Sequence, residues 1–178
     1  VISAAVFSSV LFKGNSRAAV TMDTASFPVL TSISAEGNGF DAIQIGGGSL
    51  TANGRWDYAE IPYLLAGDVT IESGVTLTID PATIIQGGDL AVDLLVKGTL
   101  NAIGSAEQPI LFTSLADKPE NRWGGLYFAG STANASVLEH CHIRHGGSNF
   151  ASAAVDSMIR CEGSSPTFNF CRVEDSAN

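Results

Sequence analysis

The densest group of chemically capable side chains is the run from Glu139 to His145, in which three histidines follow an HxHxxH pattern. Because alternate residues of a strand share a face, His142 would point to solvent while Ile143 points inward. Imidazole nitrogens beside a carboxylate are common ligands of transition metals. The run therefore predicts His140, His142 and Glu139 as metal-ligand candidates. The alternative interpretation is an ordinary exposed ladder of polar side chains.

A second candidate site would bind sugars. Amphipathic aromatic side chains can stack on pyranose rings, and an arginine guanidinium can bind a carboxylate through a bidentate pair of hydrogen bonds. The candidate carbohydrate contacts are Trp56, Tyr58, Trp123, Tyr127, Arg160 and Arg172. The two arginines are expected one structural repeat apart on the surface. The alternative is that the aromatic side chains cover or close the core.

Other sequence patterns that would indicate a catalytic, phosphate-binding or calcium-binding site are missing. Glu174 and Asp175 are adjacent, but neighbours on a strand point to opposite faces, which argues against a shared acid–base role. The glycines at 46–48 lack the lysine of a phosphate-binding loop. No catalytic residue and no cofactor is assigned. Calcium stays an open alternative without a motif, since no GGxGxD repeat occurs.

The composition of the chain limits the classes of partner that it can bind. The chain has 178 residues and a net charge of -9, with 45% hydrophobic and 15% charged residues. Nucleic acid is excluded as a partner because phosphate binding needs clustered lysine and arginine. No apolar run reaches the roughly 18 residues of a membrane span.

The elements that would position these residues are short strands. Between 68 and 115, β-branched runs of three to six residues alternate with turn residues such as Ser73-Gly74 and Asp80-Pro81. Such spacing indicates an all-β fold. No segment shows the i, i+3, i+4, i+7 apolar pattern of a helix.

Internal repetition favours a solenoid over a sandwich. Residues 18–28 align without a gap on 156–166, placing Pro28 on Pro166, and the match runs on to Glu36 and Glu174. Residues 6–15 align on 138–147. A three-then-two spacing, typical of a bend between two strands, recurs in three triplets: Leu138, Cys141 and Ile143; Phe168, Cys171 and Val173; Val6, Ser9 and Leu11.

Three cysteines lie near the C-terminal end: Cys141, Cys161 and Cys171. Their odd number rules out a fully paired framework, and no zinc-site spacing occurs. The shared triplet spacing stacks Cys141 on Cys171, about 4.8 Å apart as neighbouring strands are. That separation lies near the lower end of disulfide geometry, so stacked free thiols are expected.

The pattern DVTIESGVTLTIDPATIIQ, LLVKGTLNAIG, PILFTSL, RWGGLYFAG and SVLEHCHIRHGG resembles extracellular right-handed parallel β-helix proteins of the pectate-lyase-like superfamily from bacteria and archaea. The resemblance covers roughly residues 55 to 175. Ala82 departs from it, since glycine usually follows the proline there. The resemblance implies a right-handed parallel β-helix at the cell surface, and members include enzymes, adhesins and inert stalks.

The expected organisation is a segment of a longer repeat protein. Residues 1–50 would form the final coils of one β-helix block, 51–67 a junction, and 68–178 a second block that continues beyond the chain. The expected function is structural: a stalk, adhesin or surface filament that contacts copies of itself or adjacent repeats through its coil ends. The alternative is a β-helix protein that binds or degrades polysaccharide.

Overall fold

The computed structural model describes residues 5–57, 60–88, 92–147 and 157–176. Tight turns and single-residue bends divide these ranges into short strands. In chain order the strands are β1 (Val6–Ser8), β2 (Leu11–Lys13), β3 (Ala18–Met22), β4 (Val29–Thr31), β5 (Ser34–Glu36), β6 (Phe40–Ile45), β7 (Gly48–Leu50), β8 (Gly54–Trp56), β9 (Tyr63–Leu65), β10 (Val69–Ile71), β11 (Thr76–Ile79), β12 (Ile84–Gly87), β13 (Asp93–Val96), β14 (Thr99–Ile103), β15 (Ile110–Ser114), β16 (Gly125–Ala129), β17 (Val137–Glu139), β18 (Cys141–Arg144), β19 (Ile159–Glu162), β20 (Thr167–Asn169) and β21 (Arg172–Glu174). Short 3-10 segments occur at Leu115–Asp117, Pro119–Asn121 and Ser131–Ala135.

The strands stack into parallel sheets that run along the molecule. Sheet C contains β3, β6, β9, β12, β15, β18 and β21; sheet D contains β7, β10, β13, β16 and β19; sheet E contains β8, β11, β14, β17 and β20. At the N-terminal end, sheet A pairs β1 with β4 and sheet B pairs β2 with β5. Every strand pair among the described residues is parallel.

The chain visits sheets D, E and C in turn and then begins the next coil. Val69 of one coil thus pairs with Leu94 of the next, and Leu126 pairs with Ile159. Parallel crossovers of this kind are right-handed in nearly all proteins because of the strand twist. The molecule is a right-handed parallel β-helix, which confirms the fold expected from the sequence.

The core is the interior of the coils. Along β11, polar and apolar residues alternate, so that Leu77 and Ile79 are buried while the two threonines face outward. The largest fully buried side chains are Trp56, Trp123, Phe112 and Phe128. Burying a large apolar side chain stabilises a fold by about 1.5–3 kcal/mol, and this row of side chains is continuous from coil to coil.

The three-then-two spacing does mark a bend between strands. His140 lies between β17 and β18 with φ 47, and Phe170 lies between β20 and β21 with φ 51. A single residue in the left-handed region turns the chain sharply, so inward positions fall three and then two residues apart. Leu138 and Ile143 accordingly pair with Phe168 and Val173 on the neighbouring coil.

The N-terminal triplet was predicted one residue out of register. Val6 and Leu11 are 67% and 54% exposed, whereas Phe7, Val10 and Phe12 pack against the core. The bend residue is Ser9, with φ 55, which is equivalent to His140 and not to the cysteine that follows it. The alignment of Pro28 on Pro166 does hold locally, because both prolines precede a strand and a bend.

Strand pairing continues through the expected junction. Sheet C passes from β6 to β9 and on to β12, and β8 pairs with β11. By contrast, β4 and β5 are at the end of sheets A and B, and β7 and β8 are at the end of sheets D and E. The division into blocks at 51–67 stays a prediction. No helix in the described ranges is long and apolar enough to cross a membrane.

Candidate functional site

Two of the predicted carbohydrate contacts meet on the outer face of sheet D. Tyr127 and Arg160 are register partners on β16 and β19, and the Arg160 guanidinium lies 4.6 Å from the Tyr127 ring centroid. The same guanidinium is 3.1 Å from Glu162 Oε2, and the Tyr127 hydroxyl donates a hydrogen bond to that carboxylate. This hydrogen bond to Glu162 raises the pKa of Tyr127. One ring face is therefore covered by a cation, which leaves a charged patch and not a bare aromatic platform.

A buried carboxyl group lies at the start of β13, the central strand of the same sheet. Asp93 is 6% exposed, and its Oδ1 has no hydrogen-bond partner among the described residues. Asp68 precedes β10 on the adjacent coil, and its Oδ1 accepts a hydrogen bond of 2.9 Å from the Asp93 backbone N–H. A Cβ at Gly124 would come within 1.8 Å of Asp93 Oδ1, so glycine makes room for the carboxyl group.

The surroundings of Asp93 disfavour its charge. Burial, and then the nearby Asp68 carboxylate, raise the pKa of Asp93 to about 7, while Arg160 opposes this rise. Withdrawal from water penalises a carboxylate, and a second negative charge adds to the penalty. A carboxyl group with a pKa near neutrality can donate or accept a proton at neutral pH, which is a property shared by acid–base groups of enzymes.

A third polar group lies at the C-terminal ends of the strands of sheet C. This corner cluster consists of Thr113, Asp117, Arg144, His145 and Asp175. Asp117 binds the Arg144 guanidinium through both oxygens, with Nε at 2.8 Å, and accepts the Thr113 hydroxyl at 2.6 Å. His145 reaches Asp117 through Nδ1 at 3.4 Å and Asp175 through Nε2 at 3.9 Å. Burial opposes ionisation of Asp117, but these hydrogen bonds, led by that from Arg144, outweigh it and lower its pKa.

The inner members of the corner cluster are withdrawn from solvent. The His145 side chain is 10% exposed, and Thr113 is fully buried. The cluster instead fastens the 3-10 segment Leu115–Asp117 to the outer side of sheet C, where Ser114 and Asn121 add hydrogen bonds to the same loop. Its geometry favours a structural role, in which the cluster holds this loop against the coils.

The two tryptophans are not sugar contacts, which corrects the expectation for Trp56 and Trp123. Their exposures are 1% and 0%, so neither indole face reaches solvent. Trp56 stacks on Tyr63 at 5.3 Å between ring centroids. Trp123 donates its Nε1–H to the carbonyl of Arg144 at 3.0 Å. Both close the core, as the alternative interpretation proposed. Tyr58 lies outside the described residues.

The arginines also differ from expectation, since they do not lie one coil apart on one face. Arg160 is on β19 in sheet D, whereas Arg172 is on β21 in sheet C of the same coil. Arg172 forms its own ion pair with Glu174 at 2.6 Å. The two cannot act together on one ligand group.

The structure separates the three metal-ligand candidates. Glu139 is on β17 in sheet E, and His142 is on β18 in sheet C, paired with Leu111 and Arg172. His140 occupies the bend between them and stacks on Phe170 at 5.0 Å. Within the described ranges, no three His, Cys, Asp or Glu side chains are arranged to hold a metal ion.

The cysteines stack as free thiols, as the spacing predicted. Cys141 is buried and Cys171 precedes β21, directly above it in the ladder of sheet C. Each Sγ lies within hydrogen-bond range of backbone carbonyls, at 3.4 Å from Ala102 O for Cys141 and 3.3 Å from Asn169 O for Cys171. Burial, and then the neighbouring Cys171, raise the pKa of Cys141. The raised pKa disfavours the thiolate of Cys141, so this thiol is not poised as a nucleophile.

Sequence reasoning missed Asp68, Asp93 and the corner cluster. A signal for the first two was present, because each aspartate directly precedes a run of strand-forming residues, in DVTI and DLLV. Equivalent positions on adjacent coils must stack two carboxylates. No comparable signal linked Asp117 to Arg144, since that contact depends on how a loop folds over sheet C.

Comparison with known protein families gives a match over most of the coils. The family model described as "Pectate-lyase like beta helix domain" matches residues 48–169, which is more than half of the chain. No curated protein matches significantly. No solved structure does either.

Proposed function

Because the chain belongs to the family of pectate-lyase-like β-helix domains, we propose that it is a structural interaction module, a segment of an extracellular stalk, adhesin or surface filament. Its coil ends are the binding surfaces. β-Helix coils bury their interior only by stacking, so an uncovered end coil is a surface that another coil completes.

The observation that supports this proposal is the exposed interior of the last described coil. Within one coil of the end, Cys141 and Ile143 are 0% exposed. Val173, which is the register partner of Ile143 and occupies the same inward position, is 48% exposed. β20 and β21 have a neighbouring strand on one side only among the described residues. Unpaired strand edges with apolar side chains promote pairing with further strands.

Sedimentation velocity over a range of chain concentrations tests this function. We expect concentration-dependent assembly, which Val173→Asp weakens because a charge would enter the stacked interior. Val29→Asp is the matched control, since Val29 is 50% exposed but projects outward from β4. A wild-type chain that stays monomeric at all concentrations would exclude self-association, and equal effects of both substitutions would exclude the end coil as its site.

A second candidate function is binding of an acidic polysaccharide on the outer face of sheet D. The specific observation is the Arg160 guanidinium held over Tyr127, because arginine binds carboxylates well and lies here beside the titrating Asp93. Binding of uronate polymers, with and without Ca²⁺, tests it. Arg160→Gln should reduce binding, whereas Arg172→Gln on sheet C should not. Absence of binding and cleavage by the wild-type chain would remove this function.

A further inference from the structure

The outer face of sheet D has a gap between Asp93 and Arg160. Along β13, Leu94 and Val96 are fully buried in the core, so strand alternation places the Asp93 side chain on the outer side of the sheet. The register partner of Asp93 on the next strand is Gly125, and Arg160 lies on the strand after that. The Gly125 position therefore puts no side chain between the Asp93 carboxyl group and the Arg160 guanidinium.

Close contacts keep this gap free of side chains. A Cβ at Gly125 would come within 2.4 Å of Met158 O, and one at Gly124 would come within 1.8 Å of Asp93 Oδ1. Neither glycine can therefore be replaced without displacing the backbone or the carboxyl group. Asp93 Oδ1, which faces Gly124, has no hydrogen-bond partner in the described part of the chain, although the residue is buried.

Charged groups act on this carboxyl group from both sides. Asp68 belongs to the preceding coil, where its Oδ1 accepts the Asp93 N–H at 2.9 Å, and its carboxylate disfavours ionisation of Asp93. Arg160 on the other side favours that ionisation. Within the described ranges, the other charged groups along these strands pair with one another or with Arg160: Glu162 with Arg160 at 3.1 Å, and Glu72 with Lys97 at 3.9 Å.

We propose that the protonation state of Asp93 controls polyanion binding at Arg160. The neutral acid lets a carboxylate of the polymer bind the guanidinium, whereas an ionised Asp93 repels that carboxylate. This inference rests on the second candidate function, polysaccharide binding on sheet D, and adds its regulation. Asp93 is a positioning residue here, since it acts through the charge beside Arg160 and not through a contact with the polymer.

The sign of the pH dependence follows from the surroundings of Asp93. Burial, and then Asp68, raise the pKa of Asp93 to about 7. Polyanion binding is therefore strongest below this pH, where Asp93 is protonated, and weakens as pH rises through it. Tyr127, which lies under the guanidinium, adds no charge in this range, because its hydrogen bond to Glu162 raises its pKa above 10.0.

The size of the effect follows from the spacing of the strands. Asp93 and Arg160 are on strands that lie two apart in sheet D, so roughly 10 Å separates their backbones. At that distance, a new unit charge weakens binding of a like unit charge by a factor of about two to fifteen, depending on whether water or the protein surface screens it. Coupling is reciprocal, so bound polymer also favours the protonated form of Asp93.

Calorimetric titration with polygalacturonate at low salt tests the proposal. Between about pH 5.5 and pH 8.5, the affinity of the wild type should fall about two- to fifteenfold. Near about pH 7, binding should take up protons, which is measured by repeating the titration in buffers of different ionisation enthalpy. Fully methyl-esterified polymer is the matched ligand control, because it has no carboxylate for Asp93 to repel.

Two variants separate the control of binding from binding itself. Asp93→Asn keeps the size of the side chain but cannot ionise, so its affinity should not change with pH and its binding should take up no protons. Arg160→Gln should weaken binding at every pH. Asp68→Asn keeps an oxygen acceptor for the Asp93 N–H and removes the negative charge, so it should move the fall in affinity to lower pH.

The outcomes distinguish failure of this inference from failure of the function on which it rests. If the wild type binds polygalacturonate equally at all these pH values, or if Asp93→Asn retains the pH dependence, the inference is wrong while polysaccharide binding stands. The same conclusion follows if the methyl-esterified polymer shows an equal pH dependence. If the wild type binds polygalacturonate at no pH, the second candidate function fails and the inference fails with it.

Discussion

Replacement of Asp93 by asparagine should make the protein more stable at alkaline pH. Asp93 is 6% exposed, and its Oδ1 has no hydrogen-bond partner among the described residues. Its pKa is raised from 3.8 to about 7 by burial and by Asp68. The amide introduced by Asp93→Asn has no charge to bury at any pH and can donate a hydrogen bond toward Asp68.

The sign and size of the effect follow from proton linkage. Between the unfolded and folded pKa values, folded Asp93 keeps a proton that the unfolded chain releases, so stability falls as pH rises. The favourable contribution is complete below the unfolded value of 3.8 and is lost as pH passes about 7. At about 1.36 kcal/mol per pKa unit, the loss approaches roughly 4 kcal/mol.

Urea unfolding of the wild type and Asp93→Asn at several pH values measures this loss. The free energy of unfolding of the variant relative to the wild type should increase by roughly 2–4 kcal/mol between about pH 4 and pH 8. Two further variants should shift the pKa of Asp93 in opposite directions. Asp68→Asn should lower this pKa, and Arg160→Gln should raise it further. A difference between Asp93→Asn and wild type that does not change with pH would refute the reasoning.

Three further substitutions test the packing and hydrogen bonds. Ala82→Gly should raise the free energy of unfolding by up to about 1 kcal/mol in thermal melts, because Ala82 adopts φ 64, which glycine tolerates better; an unchanged or lower melting temperature contradicts this. Ser136→Ala should cost about 1–3 kcal/mol in urea unfolding, because it leaves the buried N–H of Leu100 unpaired; a change below about 0.5 kcal/mol contradicts this. Arg144→Lys should accelerate proteolysis between Leu115 and Asn121 by loosening the two-pronged bond to Asp117, whereas an unchanged rate would show that the corner cluster does not hold that loop.

The repeat and its inward positions could be predicted because a solenoid uses equivalent residues in successive coils. Leu138, Cys141 and Ile143 kept the predicted frame, and the cysteines stacked as expected. The N-terminal frame failed by one residue because the small Ser9 resembles a corner-filling residue but occupies the bend itself. Serine, histidine and phenylalanine occupy positive φ in these bends, where glycine or asparagine would have been the recognisable signal.

The candidate site was less predictable than the fold. Tyr127 and Arg160 could be named from residue type, but their stacking depends on register across a coil whose length varies. The tryptophans carry the same aromatic signal as Tyr127, yet they are buried. Strand alternation predicts whether a side chain points inward or outward only within one strand. Across a corner the prediction fails, because a single residue in the left-handed region shifts the pattern.

The same bends show why each coil of this molecule depends on its neighbours. Each non-glycine bend residue, such as His140 or Phe170, adopts a backbone conformation that costs roughly 1–2 kcal/mol. In the middle of the molecule, burial on both sides of the coil offsets this cost, as at Cys141 and Ile143. The coil that contains Phe170 and Val173 has the strain of a bend but a neighbour on one side only among the described residues, so it gains most from another coil. The stack, and not the single coil, is therefore the unit of stability.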